Sequence, residues 1–250
     1  MYSGLLENCA TDLASAGYYA FIVSYRLAPC EVIKKQPCHD VAASGRPPEQ
    51  TDDIKAEVRA ARADPRCNGK VAVVGGSAGG SHAAFVALDT VPSANWSASD
   101  RPDAAACLSG AYDLSDRTQE VGYPAGDDPL PQFIDLVQNY TNTFDRTIQR
   151  SVSPVAKVTA PTADKPFRPI FFINTQYDPM PFHQIVDLQC ALQTAGIDPG
   201  LYKAETIPDS RLHAFQFWRE FDDGYPYAQR VSTRVIDFFD AANLKTPAGH

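Results

Sequence analysis

Nowhere in the 250 residues do lysine and arginine gather into a run, and acids outnumber bases by 30 to 22 for a net charge of −8. That balance argues against a nucleic-acid or anionic-membrane surface and favours a neutral small substrate. No stretch is long enough or apolar enough to span a bilayer. The start, MYSGLLENCATDLASAGYY, lacks the basic region and apolar core of a signal peptide. Of the 6 cysteines, none forms C-x-x-C or pairs with histidine at zinc-finger spacing, so no metal site is expected. Cys107 and Cys190 fall in apolar runs and read as buried thiols, while Cys30 and Cys38 flank a short loop that a disulfide could close. No internal repeat or low-complexity tract is present. What remains is an ordinary globular composition, 44% apolar, with ample material for the core of one large α/β domain or two small ones.

Taken in order, residues 5–16 read as a helix stopped by Gly17. Tyr18 to Leu27 (YYAFIVSYRL) is rich in β-formers and reads as a buried strand ending at Pro29. A polar loop leads to an amphipathic helix over Glu49 to Ala63, with Ile54, Val58 and Ala61 on one stripe and acids in its first turn. Further strands are expected at Val71 to Val74, Ala104 to Leu108, Pro169 to Asn174 and Gly200 to Ile207. Helices are expected at Gly80 to Leu88, near Pro131 to Asn139, at Pro181 to Ala195 and at Asp223 to Ala242. Strands alternating with helices of this length predict an α/β fold, a mostly parallel sheet with helices on both faces. The irregular stretch 113–165 reads as a cap-like insertion over the sheet, within a single domain spanning 1–250.

The pattern Gly75-Gly76-Ser77-Ala78-Gly79 fits G-x-S-x-G and lies between a strand and a helix, the context of a nucleophile elbow. A serine at the tip of a sharp turn needs neighbours without side chains, so that the backbone can bend and substrate can approach Oγ. Its hydroxyl then needs a histidine to take the proton and an acid to orient that histidine. In an open parallel sheet those groups belong just beyond the carboxyl ends of strands. Asp178 follows PIFFIN after a short turn, and His213 lies in the loop after the Leu201 to Ile207 strand. The order Ser77, Asp178, His213 is that of α/β-hydrolases. His82 and His183 read as ordinary helix residues, and His39 and His250 as exposed and inert. Asp209 reads as a turn former beside Pro208, and Asp187 as an ordinary helix-surface acid.

Together, VSYRLAP at 23–29, GGSAGG at 75–80, Tyr177-Asp178-Pro179-Met180-Pro181 and His213-Ala214-Phe215 resemble the α/β-hydrolase esterases. The feruloyl/acetyl-xylan esterase-like branch is the nearest, followed by the hormone-sensitive-lipase-like branch. The resemblance runs from about residue 5 to 240 and implies hydrolysis of small or carbohydrate-linked acyl esters, without metal or organic cofactor. It implies Ser77 as nucleophile, His213 as base, Asp178 as orienting acid and the Ala78 N–H as one oxyanion donor. Prolyl-oligopeptidase-like peptidases share the fold but usually carry an aromatic residue where Ala78 stands. In the resembled esterases an HGGG-type loop supplies a second oxyanion donor. Here no His-Gly-Gly occurs, and Met1 falls where that loop should have ended. The strand missing with it would lie between the YRLAP strand and the elbow strand, leaving unpaired backbone or forcing the two together. The expectation is therefore an N-terminally truncated α/β-hydrolase, or a diverged and catalytically impaired one, the extreme case being a silent binding protein. Localisation stays open between cytoplasmic, as the chain is written, and secreted or periplasmic, and the oligomeric state is unknown.

Overall fold

The computed structural model describes residues 3–29, 44–90, 98–124, 126–219 and 230–245. The Cys30/Cys38 pair, His39, His250 and the expected helical turns at 223–229 lie outside them. Seven α-helices and four strands are present among the described residues: α1 (Ser3–Ser15), α2 (Glu49–Ala63), β1 (Ala72–Gly76), α3 (Ala78–Leu88), β2 (Ala104–Leu108), α4 (Leu130–Thr141), α5 (Arg146–Ser151), β3 (Ile170–Thr175), α6 (His183–Thr194), β4 (Tyr202–Ile207) and α7 (Val231–Ala241). The strands form one parallel sheet in the order β1-β2-β3-β4.

The period-2 alternation of side chains divides the core in two. Ala104, Ala106 and Leu108 of β2, with Phe171 and Ile173 of β3, pack with Leu13 of α1 and with Val231, Val235 and Phe239 of α7. Ala105, Cys107, Ile170 and Phe172 pack on the opposite side with Ala83, Ala84, Ala87 and Leu88 of α3 and with Ile185, Leu188 and Leu192 of α6. Helices therefore cover both faces. Ile170, Phe171, Phe172 and Ile173 are each 0% exposed, and burying such side chains stabilises by roughly 1.5–3 kcal/mol apiece. That is why β3 reads as an unbroken apolar run. A third, smaller cluster sets Phe133 and Val137 of α4 against Ala111, Leu114 and Met180, in the connections after β2 and β3. Through it, part of the 113–165 stretch lies over the carboxyl ends of the strands.

Three expectations need correction. Tyr18 to Leu27 is extended but is no strand, and it is not buried: Tyr19, Phe21, Ile22 and Leu27 are 52%, 47%, 54% and 68% exposed. β-propensity describes a side chain's fit to a paired, half-buried surface, and no described strand pairs with this segment. A groove of about 430 Å³ separates it from β1, lined by Tyr18 to Phe21 on one side and Val71 to Val74 on the other. Leu13, Ile54, Val58 and Phe239 also line this groove. Among the described residues no strand lies between the segment and β1. The segment is tethered near its end, where Arg26 donates from its backbone and guanidinium to Asp53 at 2.8–3.2 Å. Cys190 is exposed, because its position on α6 falls off the stripe of Ile185, Leu188 and Leu192 that meets the sheet. Asp187 is half-buried, and burial together with the nearby Asp116 and Asp113 raises its carboxyl to about 6.

Among the described strands β1 has one neighbour, and an apolar extended segment lies beside it, so both are templates for pairing with another chain. We expect concentration-dependent self-association in light scattering, reduced by Ile22→Lys at unchanged Tm. Identical scattering from the two proteins across a hundredfold dilution would count against this.

Candidate active site

Ser77 occupies the single residue between β1 and α3, with φ 54° and ψ −124°. A serine with positive φ is strained by about 1–3 kcal/mol, and the strain persists only where the surroundings over-determine it. Here they do. Ser77 N–H donates to Leu108 O at 2.8 Å, which ties the turn to the end of β2. A Cβ on Gly75 would lie 2.3 Å from Gly79 O, so only glycine permits the helix to start this close to its own strand. A Cβ on Gly76 would lie 2.6 Å from the Phe215 ring. Close approach thus requires glycine at 75 and 76, whereas a Cβ on Gly79 would meet nothing within 4 Å. Ser77 is half-buried and Ala78, the first residue of α3, is exposed.

Asp178 lies three residues beyond β3 and is 0% exposed. A buried carboxylate must be hydrogen-bonded throughout, and four donors converge on it. His213 Nδ1 lies 2.6 Å from Oδ1, which also accepts from Met180 N–H at 2.9 Å. Oδ2 accepts from Ser109 Oγ at 2.5 Å and Thr175 N–H at 3.2 Å. With the carboxylate on Nδ1–H, the imidazole presents Nε2 as an acceptor. The loop carrying His213 is held at several points. Its backbone N–H donates to Gln216 Oε1 at 2.8 Å, Thr175 Oγ1 donates to Leu212 O at 2.6 Å, and Ala214 N–H donates to Ser109 Oγ at 2.7 Å. The ring stacks on Phe215 with centroids 5.1 Å apart, and Phe215 in turn abuts Gly76, one residue before Ser77. Packing therefore brings the histidine loop to the serine turn.

Ser109 and Phe215 carry roles that inspection of the chain did not assign. Ser109 follows β2 directly, the strand-end position that singled out the other three, and this was the available signal. Phe215 had none beyond its adjacency to His213. Two further candidates, His183 and Asp209, have other partners. His183 begins α6, where its N–H donates to Glu120 Oε1 at 2.8 Å and its Nδ1 lies 3.1 Å from Glu120 Oε2. Asp209 sits in the turn after β4 with φ 54° and donates its N–H to Gln176 Oε1.

A cavity of about 370 Å³ opens beside Ser77 and Ala78. Most of its wall is apolar, and Leu114, Phe133, Leu136, Val137 and Val152 bring the 113–165 stretch into it. His82 also lines the cavity. Its ring meets Tyr25 edge-on at 4.7 Å, and burial pulls its pKa down to about 4, so it is neutral at pH 7. Among the described residues no His/Cys/Asp/Glu group could hold a metal ion.

Two outcomes follow from this geometry. Ser109→Ala removes a donor from Asp178 and orphans the Ala214 N–H, and should lower unfolding free energy in urea by about 1–3 kcal/mol. A loss below about 0.5 kcal/mol would show that the hydroxyl bridges nothing of consequence. For His82, the folded pKa lies below the unfolded value of about 6.5, so between pH 6.5 and 4 the unfolded chain binds the extra proton. Stability attributable to His82 is therefore lost as pH falls through that window, by about 2 kcal/mol at pH 5. His82→Phe should shrink the stability difference between pH 7.5 and 5 by about that amount. An unchanged difference would contradict it.

A sequence model of a family described as alpha/beta hydrolase fold matches residues 4–198. No curated protein sequence matches the chain. Among solved structures, the chain is similar to an acetyl ester-xyloside bifunctional hydrolase from Caldicellulosiruptor lactoaceticus, at TM-score 0.63 and 19% identity over 95% of this chain and 76% of that one. It is also similar to a hyperthermophilic esterase from Pyrobaculum calidifontis, at TM-score 0.67 and 17% identity over 98% and 70% of the two chains. A carboxylesterase from Lactobacillus plantarum matches at TM-score 0.61 and 16% identity, over 99% and 82%. At such identities the structural likeness is one of fold. The family match covers well over half of the 250 residues and agrees with the parallel sheet and its two helical layers: the chain belongs to the alpha/beta hydrolase fold family.

Proposed function

We propose that the chain is a serine carboxylester hydrolase that cleaves small acyl esters through Ser77, His213 and Asp178. The observation that carries this reading is the hydrogen bond from His213 to buried Asp178, with the His213 loop packed against the turn that holds Ser77. The names of the similar structures, which are esterases and an acetyl ester hydrolase, support the same chemistry.

Ser77 Oγ attacks the ester carbonyl carbon while His213 Nε2 takes the hydroxyl proton. Asp178 holds Nδ1–H and stabilises the imidazolium that forms. Negative charge moves to the carbonyl oxygen, where the Ala78 N–H at the start of α3 donates to it. As the tetrahedral centre collapses, the C–O bond to the alcohol breaks and His213 returns the proton to the leaving oxygen. Water then attacks the acyl-serine with the same proton relay, releasing the acid and Ser77. The apolar cavity beside Ser77 houses one half of the ester and excludes water from it.

Because the chain holds no His-Gly-Gly segment, Ala78 is the one oxyanion donor this reading assigns. A missing second donor lowers turnover by about 10²- to 10³-fold. That same gap favours a second reading, a hydrolase-fold protein that binds its ligand without turning it over. The two readings separate on Ser77. Under the first, a fluorophosphonate probe labels Ser77 stoichiometrically, and Ser77→Ala lowers p-nitrophenyl acetate hydrolysis by a factor on the order of 10³ or more. Full activity in Ser77→Ala would overturn the esterase reading, and an unlabelled serine would favour the silent one.

A further inference from the structure

We propose that the cavity beside Ser77 is a recognition subsite for a neutral substituent bearing a hydroxyl group, read by the side-chain amides of Gln50 and Asn139. The inference rests on the esterase reading and names its substrate class. Among the described residues lining this cavity none is Asp, Glu, Lys or Arg, so these residues offer an ionic group no counter-charge. His82, held against Tyr25 and with Tyr140 at 5.9 Å, is neutral and adds none.

Against this apolar wall stand two amides from different helices, Gln50 of α2 and Asn139 of α4, 2% and 8% exposed. Gln50 Oε1 and Asn139 Oδ1 are both buried and have no hydrogen-bond partner among the described residues. Two neighbouring polar groups are paired. Thr51 Oγ1 donates to Pro48 O at 2.7 Å, and the backbone carbonyl of Asn139 accepts from Arg46, which ties the start of α2 to the end of α4. A buried carbonyl oxygen without a donor has lost its bond to water and gained nothing in return, so a ligand that brings a donor is favoured there. A protonated amine would supply donors but also an unpaired charge in an apolar cavity. A hydroxyl supplies the donor without the charge, and because it also accepts, it can satisfy either end of an amide. Two such amides on one mostly apolar cavity thus specify a hydroxylated alkyl or aryl group.

The first test is binding without turnover, in Ser77→Ala, comparing 4-ethylphenol with ethylbenzene by calorimetry or ligand-detected NMR. The ratio of their affinities should fall about tenfold in Gln50→Leu/Asn139→Leu, the worth of about one hydrogen bond. Both replacements remove an unpaired buried acceptor, so thermal melting should show no loss of stability. If the double variant does not fold, Gln50→Leu and Asn139→Leu are measured singly. The second test is turnover by the unaltered chain, with p-nitrophenyl hexanoate against 6-hydroxyhexanoate and 2-phenylethyl acetate against 2-(4-hydroxyphenyl)ethyl acetate. A hydroxyl preference in the first pair places the acyl half in the cavity, and in the second pair the alcohol half. Hydrolysis of all four esters without discrimination, alongside an unchanged binding ratio, overturns the subsite and leaves the esterase standing. A tenfold shift in the binding ratio without any hydrolysis supports the subsite and removes the esterase.

Discussion

One buried charge organises the carboxyl ends of this sheet. Asp178 is fully inaccessible, and an isolated carboxylate in such a place would be too costly to persist. Its four donors come from the end of β3, from its own turn, from the residue after β2 and from the loop beyond β4. Thr175 and Met180 are local to Asp178, but Ser109 and His213 are 69 and 35 residues away, so the fold must close before the charge is fully satisfied. Satisfying it fixes the imidazole of His213 in the same step. Stability and chemistry therefore share one set of hydrogen bonds.

The serine side of the site depends on the opposite physics, the absence of side chains. α3 begins one residue after β1 ends, and the Gly75–Gly79 approach is closer than any Cβ tolerates. The turn's positive φ is then held by its bond to Leu108 O. Phe215 joins the two halves, stacked on His213 and packed close to Gly76. A bulkier residue at 76 would push the histidine loop away without touching any reacting atom.

The layered fold was largely legible in the chain. Glu49–Ala63 and Ala104–Leu108 appear with the expected ends, because the first is bounded by Pro48 and Asp64-Pro65 and the second by its flanking Pro102 and Gly110. The places of Ser77, Asp178 and His213 beyond strand ends were legible because strand ends are visible in sequence. Tyr18 to Leu27 failed on a tertiary fact, since composition announces readiness to pair and says nothing about a partner. Ser109 failed for a related reason. Its meaning comes from Asp178, 69 residues away, and no local pattern encodes that contact. Gln50 and Asn139 are equally silent, as two amides 89 positions apart acquire a role only where α2 and α4 meet.

The cavity beside Ser77 bears on the proposed chemistry. Under the esterase reading, its apolar walls exclude water from an ester at Ser77, where hydrogen bonds and charge separation are then stronger. Those walls come in good part from α4, set over the strand ends by Phe133 and Val137. Burial keeps His82 neutral, and it leaves Gln50 Oε1 and Asn139 Oδ1 without a hydrogen-bond partner among the described residues. Under the esterase reading, each unpaired polar atom on that mostly apolar wall is a determinant of what enters. Under the esterase reading, selectivity in this chain is thus set by α2 and α4 rather than by the residues that carry the reaction.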